Sequence, residues 1–82
     1  MDFIVGQIVK AKAGREKNSF FIIIAVDEAY AYICDGKSRK LDKPKKKKLI
    51  HLAPTSTVAQ RFSTNREVRK SLSEFISFAK IV

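Results

Sequence analysis

Residues 37–48 hold eight basic side chains, Lys37, Arg39, Lys40, Lys43, Lys45, Lys46, Lys47 and Lys48, against the single acid Asp42. Cations this close repel one another and must stay hydrated, so fold stability does not explain them. A polyanion reverses the balance, because its phosphates offset the repulsion and release condensed counterions on binding. Pro44 restrains the segment and lowers the entropy lost when it orders on a ligand. The plain alternative is a hydrated loop that only aids solubility. A nuclear-targeting signal has the same composition, but these lysines fall between two expected strands rather than on a free tail.

Other side chains of chemical interest are scattered. Tyr30 and Tyr32 share one strand face and suit stacking on unpaired bases, although aromatics so placed ordinarily belong to a core or its rim. Phe20 and Phe21 are assigned to the core on the same ground. His51, between Ile50 and Leu52, suits a stack or a hydrogen bond to nucleic acid. One histidine without neighbouring cysteines or carboxylates makes no metal site. Cys34 reads as a small buried hydrophobe. The chain has no nucleophile–base pair, no metal-ligand cluster and no P-loop, which argues against an enzyme, a cofactor or a small-molecule substrate.

The elements that must position these groups follow from the hydrophobic pattern. Residues 6–13 alternate from Ile8 onward if Val9, Ala11 and Ala13 face a core and Lys10 and Lys12 face water. Residues 14–19 form a turn-rich break. Residues 20–26 are apolar on both faces, as in a central or doubly covered strand. Residues 27–29 suit a hairpin loop, residues 30–34 the returning strand, and Asp35-Gly36 a turn. Residues 49–52 are apolar enough for a closing strand, which Pro54 and Thr55-Ser56-Thr57 would end as a connector begins. Four short strands with tight turns predict a mainly β fold, a small antiparallel barrel of SH3-like size whose closure removes exposed edges.

A C-terminal helix is expected from Thr64 to about Lys80. Thr64 and Glu67 have the spacing of a capping box, each side chain meeting the other residue's free backbone N–H. Val68, Leu72, Phe75, Ile76 and Ala79 then form one apolar face, with Phe78 beside it. That face is expected to pack on the outside of the barrel or to plug one end. Residues 1–53 thus form the barrel with a basic loop at 37–48, and residues 54–82 a connector and helix packed on the same domain.

The 82 residues suffice for one domain, and the formal charge of +9 points to nucleic acid as partner. A single cysteine permits no internal disulfide and fits a reducing cytoplasm. The opening Met1-Asp2-Phe3-Ile4-Val5-Gly6 does not resemble a secretory signal. The longest apolar run, residues 20–26, is far short of the roughly 20 residues needed to cross a bilayer. The polar face of the helix has too few basic residues to favour a membrane surface.

Residues 6–24, Gly6-Gln7-Ile8-Val9-Lys10-Ala11-Lys12-Ala13-Gly14-Arg15-Glu16-Lys17-Asn18-Ser19-Phe20-Phe21-Ile22-Ile23-Ile24, resemble a KOW motif. They have its opening glycine, apolar strand, inner glycine in a basic turn and second apolar strand. Gly14 matches the turn glycine and Lys17 its basic residue. Asn18 stands where many members have glycine, and asparagine also tolerates the left-handed conformation. The order Asp35-Gly36-Lys37-Ser38-Arg39-Lys40, Lys43-Pro44-Lys45-Lys46-Lys47-Lys48 and His51-Leu52 is similar to the KOW-domain RNA-binding proteins of Gram-positive bacteria. Those in turn resemble protein fourteen of the archaeal and eukaryotic large ribosomal subunit.

The resemblance spans residues 3–52. It implies an SH3-like barrel and an RNA partner, ribosomal RNA in the setting of the large subunit. The RNA-binding residues would be Lys12, Arg15, Lys17, Asn18, Lys37, Arg39, Lys40, Lys43, Lys45, Lys46, Lys47, Lys48 and His51. The competing expectation is a protein-interaction module, because similar KOW barrels in transcription-elongation factors contact the polymerase. The exposed part of the helix or an uncovered strand edge would then dock the partner. Convergence of the Gly14 turn and residues 37–48 on one side is what the RNA hypothesis needs from the tertiary structure.

Overall fold

The computed structural model describes residues 3–81, with side chains described through residue 79. In chain order come β1 Gln7–Ala11, β2 Phe20–Val26, β3 Tyr30–Cys34, β4 Lys45–Lys48, a 3-10 helix Leu49–His51, β5 Leu52–Val58 and α1 Asn65–Ile81. All ladders are antiparallel, in one sheet ordered β4-β3-β2-β1-β5. The two edge strands are nevertheless joined by only three residues. A flat sheet would hold its first and fifth strands about 19 Å apart, at roughly 4.8 Å per step. Three residues of 3-10 helix advance about 6 Å. β4 and β5 also run in the same direction, so a flat sheet would add the length of a strand to that gap. The sheet must therefore curl until its edges approach each other at the 3-10 turn.

Strand alternation sorts the apolar residues into two cores. Val9, Ala11, Phe21, Ile23, Ala31, Ile33 and Leu52 fill the inside of the curl. Ile8, Ile22 and Cys34 point outward and meet Ala59, Val68 and Leu72, with Phe20, Phe62 and Phe75 around them. This explains why residues 20–26 are apolar on both faces: one face looks into the curl and the other lies under α1. Helix α1 thus packs against one face of the sheet. Phe20 and Phe75 meet edge to face, with centroids 5.2 Å apart. Ile24 is an extra residue where the β2–β3 register shifts, and this bulge brings Val26 back to the inner core.

Two expectations about the sheet are corrected. Residues 45–48 form an edge strand rather than part of a loop, pairing Lys45 with Ile33 and Lys48 with Tyr30. Four identical residues carry no alternation, and lysine is a poor strand former, so the ladder with β3 decides this element. The closing strand likewise begins at Leu52 and continues to Val58, while Leu49–His51 is a 3-10 turn. Pro54 is accommodated because β5 is an edge strand. The register shifts between Gln7 and Val9, so residues 55–57 bulge opposite Ile8. Side chains satisfy the displaced backbone: Gln7 Nε2 donates to the Thr55 carbonyl at 2.9 Å, and Thr55 Oγ1 to the Ile8 carbonyl at 2.6 Å.

At the start of α1, the Glu67 N–H donates to Thr64 Oγ1 at 3.1 Å as the capping box requires. The reciprocal half is displaced by one residue, because Glu67 Oε1 accepts from the backbone N–H and hydroxyl of Ser63. Phe78 is 66 % exposed and does not widen the buried stripe. Among the described residues no helix is long and apolar enough to cross a membrane. The expectation about the chain's opening rests partly on Met1 and Asp2, which lie outside the described residues.

Cys34 is fully buried in the outer core. Burial, with the neighbouring Asp35 carboxylate adding to it, pushes its thiol up to about 11. A water-soluble disulfide reagent is therefore expected to report one thiol in denaturant and none in buffer. Prompt reaction in buffer would mean that α1 lifts readily from the sheet.

Candidate nucleic-acid interface

The two basic segments meet. Glu16, in the β1–β2 loop, receives Lys45 Nζ on Oε1 at 3.1 Å and Arg39 Nε on Oε2 at 3.4 Å. Lys47 Nζ donates to the Ala13 carbonyl at 3.2 Å. This ammonium would lie 3.3 Å from a Cβ built on Gly14, whose φ is +83°, so a bare backbone suits the crossing. Lys45 and Lys47 lie opposite Ile33 and Ala31, on the inward side of β4, and from there they reach the β1–β2 loop. Lys46 and Lys48 point the other way.

Burial divides the cations along the same line. Arg39, Lys45 and Lys47 are half-buried and engaged by Glu16 or Ala13, whereas Lys12, Arg15, Lys17, Lys37, Lys40, Lys43, Lys46 and Lys48 are exposed. None of those exposed cations makes an ion pair among the described residues. The thirteen residues expected to contact RNA are therefore of three kinds. Eight are exposed cations and three tie loops together. The remaining two, Asn18 and His51, hold backbone geometry. Asn18 takes φ +74°, the left-handed conformation that closes the basic turn, and its N–H donates to the Ala11 carbonyl at 2.8 Å. The His51 carbonyl accepts from the Lys12 N–H at 2.8 Å, which fixes the 3-10 turn to the end of β1.

The β3–β4 connection is also tightly ordered at its start. Asp35 accepts the backbone N–H groups of Lys37 and Arg39 and the Ser38 hydroxyl. Partial burial alone would raise its pKa, but these hydrogen bonds prevail and hold it below the usual aspartate range. Gly36 then lies against the first turns of α1. Its carbonyl accepts from Arg69 Nη1 at 2.8 Å, and Asn65 Oδ1 accepts from the Leu41 N–H at 2.8 Å. Through these bonds the helix anchors the loop that carries Lys37, Lys40 and Lys43.

Glu16, Asn65 and Arg69 are not among the residues expected from sequence to build this surface, and Asp35 is expected there only as part of a turn. A lone glutamate inside a basic turn was the one available signal, since its isolation among cations suggests an internal counter-ion. For Glu16, partial burial pushes the carboxyl up, but hydrogen bonds and charge from Lys45 and Arg39 outweigh it and hold the group below the usual glutamate value of 4.5. The ionised form is thus favoured by folding. Its stabilising contribution is present above pH 4.5 and disappears as the pH falls through the lowered folded value. Glu16→Gln should therefore be less stable than the parent in urea at pH 7, with the difference gone near pH 2. A difference that persists in acid would mean that Glu16 acts by packing rather than by charge.

No protein-family model matches the chain, and no curated protein sequence matches it significantly.

Proposed function

We propose that the chain is an RNA-binding module of KOW type, an SH3-like barrel with a helix on its outer face, acting on ribosomal RNA of the large subunit. The observation that carries this reading is the contact of Glu16 with Arg39 and Lys45, which joins the two basic segments. One buried-side counter-ion there organises the support and leaves eight cations free to meet phosphates. Edge protection gives a second reason for charge on β4, because lysines discourage another strand from pairing. That reason does not extend to Lys12, Arg15, Lys17, Lys37, Lys40 or Lys43, which lie outside β4.

The arrangement suits a positioning role without catalysis. Flexible ammonium groups accept phosphates in many geometries and read little sequence. With five phosphates neutralised, the slope of log K against log salt would be roughly −4.5 on a duplex and −3.5 on a single strand. The test is sedimentation of the tagged protein from native lysate through sucrose at low and high salt. Co-migration with the large subunit at low salt, lost as salt rises, is the expected result. Protein that stays in the light fractions at both salts would remove the ribosome from the proposal.

A protein-docking reading rests on one feature, the groove between β5 and α1 flanked by the exposed Val58 and Phe78. Association that survives nuclease and high salt would favour it.

A further inference from the structure

The outward face of β3 and β4 presents a second kind of chemistry beside the phosphate-binding cations. Ala31 and Ile33 point into the inner core, so Tyr30 and Tyr32 stand on the outer face, each half-buried. The ladder sets Tyr30 beside Lys48 and Tyr32 beside Lys46, with the exposed Ala25 next to Tyr32 on β2. Lys46 Nζ lies 4.4 Å from the centroid of the Tyr30 ring. Helix α1 covers this sheet face at Ile8, Ile22 and Cys34. The two tyrosines lie toward the other end of β3, on an edge whose four residues are all lysine.

Resting on the RNA-binding reading above, we infer that this face is a stacking platform for unpaired nucleotides, with Tyr32 and Tyr30 taking bases and Lys46 and Lys48 the intervening phosphates. The spacing favours a single strand over a duplex. Alternate residues of a strand lie about 6.8 Å apart, twice the roughly 3.4 Å between stacked bases. That gap admits one base between the rings, or one on each, and both arrangements need an unpaired base, because bases within a duplex are covered by their stacked neighbours. The Lys46 contact with Tyr30 is an exposed cation–π pair, weaker than a base stacked on the same ring. An incoming base can therefore displace the ammonium, which is then free to meet the adjoining phosphate.

The chain has two tyrosines and no tryptophan, so its intrinsic fluorescence reports on this face alone. The experiment titrates the full chain with a labelled ten-nucleotide oligouridylate and with an RNA duplex of equal length. Label anisotropy gives binding, and tyrosine emission gives stacking. The expected result is saturable tyrosine quenching by the single strand in step with anisotropy, and little quenching by the duplex. Tyr32→Leu should weaken the single strand about tenfold and the duplex far less, while Tyr32→Phe restores tight binding. Urea unfolding checks that the variants are folded. Binding of both RNAs without quenching would overturn the platform and leave phosphate binding standing. Failure of both RNAs to bind at low salt would overturn both readings.

Discussion

Replacing Gly36 by alanine should lower the thermal unfolding midpoint by about 10–20 °C. Two costs combine. At φ +78° a side chain meets left-handed strain, worth roughly 1 kcal/mol. The new Cβ would also lie 2.5 Å from the Asn65 carbonyl oxygen and 2.9 Å from Arg69 Cγ. The first contact is with backbone at the start of α1, which cannot swing away without moving the helix. Together they are expected to cost about 2–3 kcal/mol, at roughly 4–8 °C per kcal/mol for a domain of this size.

Gly14→Ala separates the two costs. Its φ of +83° imposes the same strain, but the Cβ would meet only the Lys47 ammonium at 3.3 Å, the far end of a flexible chain. The fall there should be about 5 °C. Equal losses at the two glycines would show that helix docking does not depend on the bare backbone at Gly36. Scanning calorimetry of both variants decides the matter.

The second large effect concerns binding and divides the lysines by their engagement. Lys43→Ala/Lys46→Ala/Lys48→Ala removes three exposed cations. On duplex RNA this should flatten the slope of log K against log salt by about three, which is roughly a hundredfold loss of affinity at 0.15 M salt. Lys45→Ala/Lys47→Ala removes two cations held by Glu16 and Ala13. Their loss should appear mainly as a midpoint a few degrees lower, with the salt slope nearly unchanged, because partly exposed pairs contribute about 1 kcal/mol or less each. Anisotropy titrations across a salt series read the first quantity and thermal melts the second. A slope flattened equally by both sets would mean that engaged and free lysines contact RNA alike.

Much of this architecture was written in residue pattern. The strands at residues 20–26 and 30–34 follow from apolar and β-branched runs bounded by turn residues. The helix follows from its period and from Thr64 at its start. Asn18 adopts the left-handed conformation, which asparagine tolerates better than most residues. These are local or periodic signals, and the chain can satisfy them without knowing its distant partners.

The cationic run contains the opposite case. Sequence determined that residues 37–48 would be basic, with charges close enough to repel one another. Tertiary structure alone decided which of those cations are free. Lys45 and Lys46 are identical in type and adjacent in sequence, and lysines follow both. The ladder with β3 turns one toward Glu16 and the other toward Tyr30. Identical residues carry no period, so only the neighbouring strand can break the symmetry between the two faces of β4. The same holds for β5, where Pro54 and the threonines read locally as a connector. Pairing with β1, and the bonds of Gln7 and Thr55 across the bulge, make that stretch a strand because they satisfy backbone groups that a loop would leave to water.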